Sequence, residues 1–481
     1  MPTFNPTAEG IAIGGEIVEP TGDQVVDLVA PSTEQTYATV RRPSVTDADR
    51  AAAAARETFD SGVWSGLPLV ERVEVLDRAL SHVEESVEEI ARLCAFEIGA
   101  PLRVTRASVH GSLKVIRAMG AMALETSDVV PASRGWDYEV QYDPIGVALE
   151  IVPWNSPFTG TMRHAAQALL AGCTVIAKPP PDTPFSSLVW ARALTAAGLP
   201  AGAFNIVPAD AAVSEHLVTH PAVDKIGFVG GTGIGRRVAE LAGRHLKRYV
   251  LELGGKSAAV VLDDADLDLV AAAAANSVYF NSGQICSALS RIIVPRERIG
   301  DAVAALQKKV DTFVVGDPFD DATTMGPMAS RAHYERVRTA IGAAAAEGAT
   351  LEYGGDRPPG LSHGFYLQPT LFSGTNDMAV AQEELFGPVA VLIPHDGDDD
   401  ALRLANDSVF GLGGSVFSAD TDRARAVAAR MRTGSVTINA WATNQLGPRD
   451  PHKDSGWGTS TGIEGYQAYR STRIVNLRPV N

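Results

Sequence analysis

The chain has 481 residues, 41 of them basic and 57 acidic, for a formal net charge of −16 and an isoelectric point near 5.1. Such a field repels polyanions and no Lys/Arg run offsets it, so nucleic-acid binding is not expected. With 45% apolar and 20% charged residues, the composition excludes a disordered, collagenous or coiled-coil chain.

Residues 1–45 alternate short apolar runs with Pro, Gly and Thr and read as loops and short strands. The opening MPTFNPTAEGIAIGGEI has no basic segment leading into an apolar one, so no signal peptide is expected there. From Thr46 to Met122 the pattern is helical. Val70, Val73, Leu76, Leu80, Val83, Val87 and Ile90 recur at helical spacing, and Gly99-Ala100-Pro101 supplies a stop. Residues 136–142 alternate like an exposed strand. The rhythm then changes: GVALEIV, CTVIAKP, FNIVP, KIGFVG and YVLELGG are short β-rich runs separated by helical stretches. Repeated βα of this kind builds a parallel sheet with covering helices. A second α/β stretch over 256–439 holds SAAVVL, SRIIV, PVAVLIP and GSVTIN. Its acidic run Gly397–Asp400 suits the first turn of a helix, where carboxylates are favoured. TRIVNLRP, near the end, is another exposed-strand candidate. The Ala-rich windows carry charges every few residues, so no membrane span is expected.

Three segments carry chemistry. In KIGFVGGTGIGRRVAE a strand runs into glycines and then a helix, a shape that brings backbone amides close to a phosphate; an ordinary tight βα turn would look the same. In FNSGQICSA, Cys286 follows a polar, Gly-containing turn whose amides could favour a thiolate. Cys94 and Cys173 sit in apolar contexts and read as structural. Three unpaired-looking cysteines give no disulfide framework and fit a reducing cytoplasm. In LELGGK a glutamate, Glu252, ends a strand and is placed to face a cleft. No metal-ligand spacing stands out, and no metal is expected.

With VPWNSP, VIAKP and EELFGP, these segments resemble the aldehyde dehydrogenase superfamily, over nearly the whole chain and in the right order. The resemblance implies an α/β fold with a Rossmann-like cofactor domain (1–125 and 145–252), a second α/β catalytic domain (253–445) and a small β oligomerisation arm with the C-terminal segment (126–144 and 446–481). It implies that Cys286 is the nucleophile, Glu252 the general base and Asn155 the oxyanion-hole amide. Pro153 and Trp154 would line the cofactor cleft, Lys178 would hold the adenine ribose, Gly230, Gly231 and Gly235 would form the pyrophosphate turn, and Glu384 and Phe386 would flank the nicotinamide end. The implied activity is oxidation of an aldehyde to a free acid, since members that acylate coenzyme A typically lack a glutamate at the position of Glu252. The implied assembly is a homodimer or homotetramer, and the exposed strands 136–142 and 472–478 would need partners. Two rival readings use the same residues: a cysteine esterase or acyl-transfer enzyme, and a non-catalytic relative that kept the fold.

The chain departs from the family pattern in places. Gly231 replaces a hydroxyl residue in the pyrophosphate turn. Pro181 stands where an acid often bonds the 2′-hydroxyl of NAD, so NAD is the expected cofactor with NADP left open. The C-terminal family motif P-F-G-G-x-K-x-S-G-x-G-R-E reads PRDPHKDSGWGTS here, putting Ser460 in place of a glutamate that can assist proton movement, so that Glu252 would act without it. Ser156 stands where an aromatic is frequent. Arg163 stands where many members carry an aromatic or apolar residue, and succinate-semialdehyde dehydrogenases carry an arginine that faces the substrate carboxylate. Arg163 thus has two readings, selection of an acidic aldehyde or a structural salt bridge. His164 reads first as a satisfied helix histidine.

Overall fold

A computed structural model describes residues 10–133, 137–442 and 444–477. Residues 1–9, Trp136 of the 136–142 strand candidate, and Arg478 of the 472–478 candidate lie outside the described residues.

The five β-rich runs form the parallel heart of an eight-stranded sheet. In space they run Phe204–Ile206, Thr174–Lys178, Val147–Ile151, Lys225–Val229, Arg248–Glu252, with the antiparallel strands Ile11–Ile13 and Glu16–Val18 on one edge and Gly456–Trp457 on the other. Chain order therefore reverses between Val147–Ile151 and Lys225–Val229, which pair in parallel. In an open α/β sheet the crevice beyond the carboxyl ends at such a reversal is where ligands bind. Val147–Ile151 and Thr174–Lys178 are buried throughout, as befits strands covered by helices on both faces.

A second, seven-stranded sheet contains the four predicted runs as Ala258–Val261, Arg291–Pro295, Val389–His395 and Val436–Ile438. It also contains Gly414–Phe417, Thr370–Ser373 and Thr350–Tyr353, which the sequence pattern did not single out; only the last is antiparallel. The three Asp of 398–400 form the first turn of the helix Asp398–Asn406, as expected.

Two local details differ from expectation. The predicted helix ending at Gly99 is two helices, Leu69–Glu85 and Val87–Ile98, because Ser86 leaves helical geometry at φ −99°, ψ 8°. Gly99 does end the second, in the left-handed conformation that a glycine cap supplies. Val70 is 49% exposed rather than in the apolar stripe, since it lies in the first turn of its helix. The two exposed-strand candidates meet each other: Asp137–Pro144 pairs antiparallel with Arg470–Leu477 on one side and Val129–Ser133 on the other. Among the described residues no helix is long and apolar enough to cross a membrane.

Candidate active site

The sequence-predicted residues converge at the carboxyl ends of the first sheet. Pro153, Trp154 and Asn155 follow Val147–Ile151, Lys178 ends its strand, Gly230 and Gly231 follow Lys225–Val229, and Glu252 ends Arg248–Glu252. The second sheet's side of the cleft brings Cys286, Glu384 and Phe386.

The turn that leads into Cys286 is held in an uncommon backbone shape. Asn281 (φ 48°), Ser282 (φ 57°) and Gly283 (φ 74°) are consecutive left-handed residues, a conformation that costs non-glycine residues free energy and persists only where surroundings enforce it. Here they do. Asn281 Nδ2 donates to Asn155 O at 3.0 Å, Ser282 Oγ to Gly326 O at 2.7 Å, and Gln284 Nε2 to Asn281 O at 3.0 Å. A Cβ on Gly283 would sit 2.1 Å from Gly387 O. Asn155 Nδ2 in turn donates to Gln284 O at 2.7 Å, which spends one of its two amide hydrogens and locks Asn155 to the Cys286 turn.

Cys286 is the partly exposed cysteine; Cys94 and Cys173 are buried. Burial pushes all three thiols upward, Cys173 to about 11, and Cys94 further with Glu97 adding to the effect. Only at Cys286 does a guanidinium pull the other way: Arg449 Nη2 lies 3.7 Å from Sγ. The same side chain pairs through Nε with Glu252 Oε2 at 3.3 Å. Ser460 Oγ donates to Glu252 Oε1, so a hydroxyl contacts Glu252 from the position where the family motif carries a glutamate. Sequence reasoning missed Arg449. The signal was present, because Arg449 is the second residue of PRDPHKDSG, where the motif that the segment resembles carries Phe.

Arg163 lies on the helix Pro157–Leu170. Its guanidinium donates to Thr159 O at 3.1 Å and to Gln445 Oε1, and among the described residues it makes no ion pair. Burial, with Arg449 adding repulsion, pulls it down to about 10. The structural salt bridge considered for Arg163 is thus not formed. Ser156 caps this helix without a side-chain hydrogen bond. His164 Nδ1 lies 3.9 Å from Glu150 Oε2; burial and the two arginines lower it to about 3, so it is neutral.

The cofactor side fits a dinucleotide. Gly231 precedes the helix Thr232–Arg244, and a Cβ there would meet nothing within 4 Å, leaving a helix N-terminus open to an anion. Gly235 has a different task from the turn glycines: it is buried, and a Cβ there would lie 2.4 Å from Leu253. Among the described residues Lys178 Nζ reaches only Ala209 O at 3.4 Å, which leaves donors for a ribose; burial lowers it to about 8. Glu384 accepts Gly255 N at 2.9 Å, and burial raises its carboxyl. Trp154 and Phe386 meet edge to face at 5.4 Å.

Away from the cleft, Asp49, His216 and His220 bring ligand atoms within 4.8 Å of one another. His220 Nδ1 accepts Ala222 N–H at 3.1 Å, which puts its proton on Nε2, facing Asp49. That is a hydrogen-bonded cluster, since a metal-ligating histidine donates from its other nitrogen.

The sequence model of the aldehyde dehydrogenase family matches residues 17–475. The chain belongs to the aldehyde dehydrogenase family. It is 39% identical to geranial dehydrogenase of Castellaniella defragrans over 97% of this chain and 98% of that one, and 36% identical to 3-succinoylsemialdehyde-pyridine dehydrogenase of a Pseudomonas species over 96% and 97%. Among solved structures, aldehyde dehydrogenase C of Pseudomonas syringae, a mutant complexed with NAD+ and octanal, superposes with a TM-score of 0.93 at 37% identity, covering 98% and 97% of the two chains. Betaine aldehyde dehydrogenase of Staphylococcus aureus with NAD+ gives 0.94 at 31% identity over 98% and 94%. The protein is an NAD(P)-dependent aldehyde dehydrogenase that oxidises aldehydes to carboxylic acids.

Proposed function

We propose that this aldehyde dehydrogenase uses NAD to oxidise a semialdehyde, an aldehyde carrying its own carboxylate, to the corresponding diacid. The observation that carries this is Arg163, a guanidinium near the sulfur whose side-chain partner is the neutral Gln445. A desolvated guanidinium is costly unless an anion meets it. A substrate carboxylate would do so while its aldehyde lies against Cys286.

In this reading Cys286 sulfur attacks the aldehyde carbon. The oxyanion is met by the free hydrogen of the Asn155 amide and by the Cys286 backbone N–H. NAD, when bound, supplies the hydride acceptor; Lys178, Gly230, Gly231 and Glu384 hold it, with Pro153, Trp154 and Phe386 along its cleft. Glu252 then takes a proton from the water that cleaves the thioester. We assign 1–125 and 145–252 to cofactor binding and 253–445 to catalysis, and the three-stranded sheet to self-association as a homodimer or homotetramer. Ile474, 59% exposed on its outer strand, supports an interface there. Light scattering at micromolar concentration tests this; a monomeric mass refutes it. The cysteine set supports a cytoplasmic location.

Two variants test the site. Cys286→Ala abolishes aldehyde oxidation while NAD still quenches protein fluorescence; substantial residual turnover refutes the mechanism. Arg163→Ala raises KM for succinic semialdehyde far more than for octanal. The difference amounts to about 1.5–3 kcal/mol, the worth of a hydrogen bond to a charged group. Equal effects on the two aldehydes refute the semialdehyde reading and leave the reaction class untouched.

A further inference from the structure

Arg449 and Ser460 face each other across a short antiparallel bridge. Arg449 N donates to Ser460 O at 2.7 Å, and Ser460 N returns to Arg449 O at 2.8 Å. The bridge aims both side chains at one carboxylate, so Glu252 has a cation on Oε2 and a hydroxyl on Oε1. The far end of the same guanidinium reaches Cys286 Sγ. One cation therefore spans the sulfur and the base. The charged groups facing the sulfur are Arg449, Glu252, Glu384 and Arg163. Burial and the two carboxylates oppose its ionisation, and Arg449 is the group that favours it. The Arg449 side chain is 23% exposed and that of Glu252 6%, so solvent screens the pair only in part.

We propose that Arg449 is a catalytic residue: its guanidinium is the counter-ion of the Cys286 thiolate that attacks the aldehyde and tethers Glu252 beside the same sulfur. This rests on Cys286 being the nucleophile. The thiol proton leaves to solvent before the attack. The thiolate lone pair forms the S–C bond as the carbonyl π pair moves to oxygen, so the attack needs no base and Glu252 is kept for water. Once the hydride has passed to the cofactor and the thioester has formed, the sulfur is neutral. Glu252, still tethered, is then the anion nearest the guanidinium as it removes the water proton. Arginine itself takes no proton in either step, because it does not deprotonate in proteins.

The test is the pH dependence of Cys286 alkylation by iodoacetamide, followed by peptide mass over roughly pH 6 to 10, around the ordinary cysteine value. Cys94 and Cys173 are buried and serve as internal controls. In Arg449→Met the labelling midpoint rises by at least about one pH unit, so labelling well below it slows about tenfold. The acid limb of kcat/KM for octanal moves by the same amount. Arg449→Lys keeps the charge but not the second arm; its midpoint stays near that of the unaltered enzyme while steady-state turnover slows after a normal burst of reduced cofactor. An unchanged midpoint in the Met variant overturns the proposal. So does a Lys variant with unchanged midpoint and turnover, which keeps the test decisive if the Met variant does not fold. Loss of all labelling at Cys286 in the unaltered enzyme, with turnover intact, would instead overturn the nucleophile assignment.

Discussion

Glu97 and Glu252 are nearly equally hidden, at 4% and 5% exposure, yet their surroundings differ in kind. Glu97, near the end of the helix Val87–Ile98, accepts the backbone N–H groups of Phe185 and Ser186 at 2.6 and 3.1 Å. These are the first turn of the helix Phe185–Ala196, so the carboxyl caps that helix. No cation pairs with it among the described residues, and burial pushes it up to about 7. Glu252 ends a strand at the cleft and meets Arg449 and Ser460, side chains rather than backbone. Burial alone does not separate these two carboxylates. What separates them is whether the partners are locked backbone groups or movable side chains, one of which also reaches Cys286 Sγ. Glu150 is a third case: 1% exposed and bonded to Tyr469 Oη at 2.8 Å, it has Lys225 as an electrostatic partner and belongs to the interior.

The contrast breaks most sharply at Glu252. Glu252→Gln lowers kcat by about 10²–10⁴, the range expected for losing a general base, and leaves a burst of one reduced cofactor per site before the slow phase. Stopped-flow absorbance at 340 nm reads both; a variant with neither burst nor slow phase removes Glu252 from the mechanism. Glu97 shows the opposite profile. Its folded value lies above the ordinary 4.5, so its contribution to stability is fully present at low pH. It is lost as pH rises from about 4.5 to about 7, by at most about 3 kcal/mol. Glu97→Gln removes that slope, seen as urea midpoints that no longer fall between pH 5 and 7, and leaves kcat unchanged. Ser460→Ala, which deletes one hydrogen bond to Glu252, slows turnover about two- to tenfold, as about 0.5–1.5 kcal/mol implies. A larger loss, measured at saturating aldehyde, would make Ser460 more than a positioning hydroxyl.

Much of the fold was legible because it is local. Short β-rich runs alternating with helical stretches predict parallel sheets, and each run's carboxyl end, where Asn155, Lys178, Gly230 and Glu252 lie, follows from where the run stops. The Cys286 turn was legible for the same reason, its Asn, Ser and Gly being adjacent. Gly414–Phe417 and Thr370–Ser373 were not, since their Gly, Ser and Thr residues interrupt the continuous apolar run that marks a short buried strand. Ser86 was missed because the apolar spacing continues through it.

The amino-acid sequence by itself determined the alternation of strand and helix, the cleft side of each candidate site residue and, through its motifs, the reaction class. Only the tertiary structure decided which charges meet. Arg449 reaches Cys286 across 163 residues of chain, Ser460 reaches Glu252 across 208, and Arg163 takes Gln445 across 282. Local propensity extends over a few residues, whereas these contacts depend on the C-terminal segment adding Gly456–Trp457 to the edge of the first sheet beside Glu252. That pairing turns an arginine in a loop into the cation between Cys286 and Glu252.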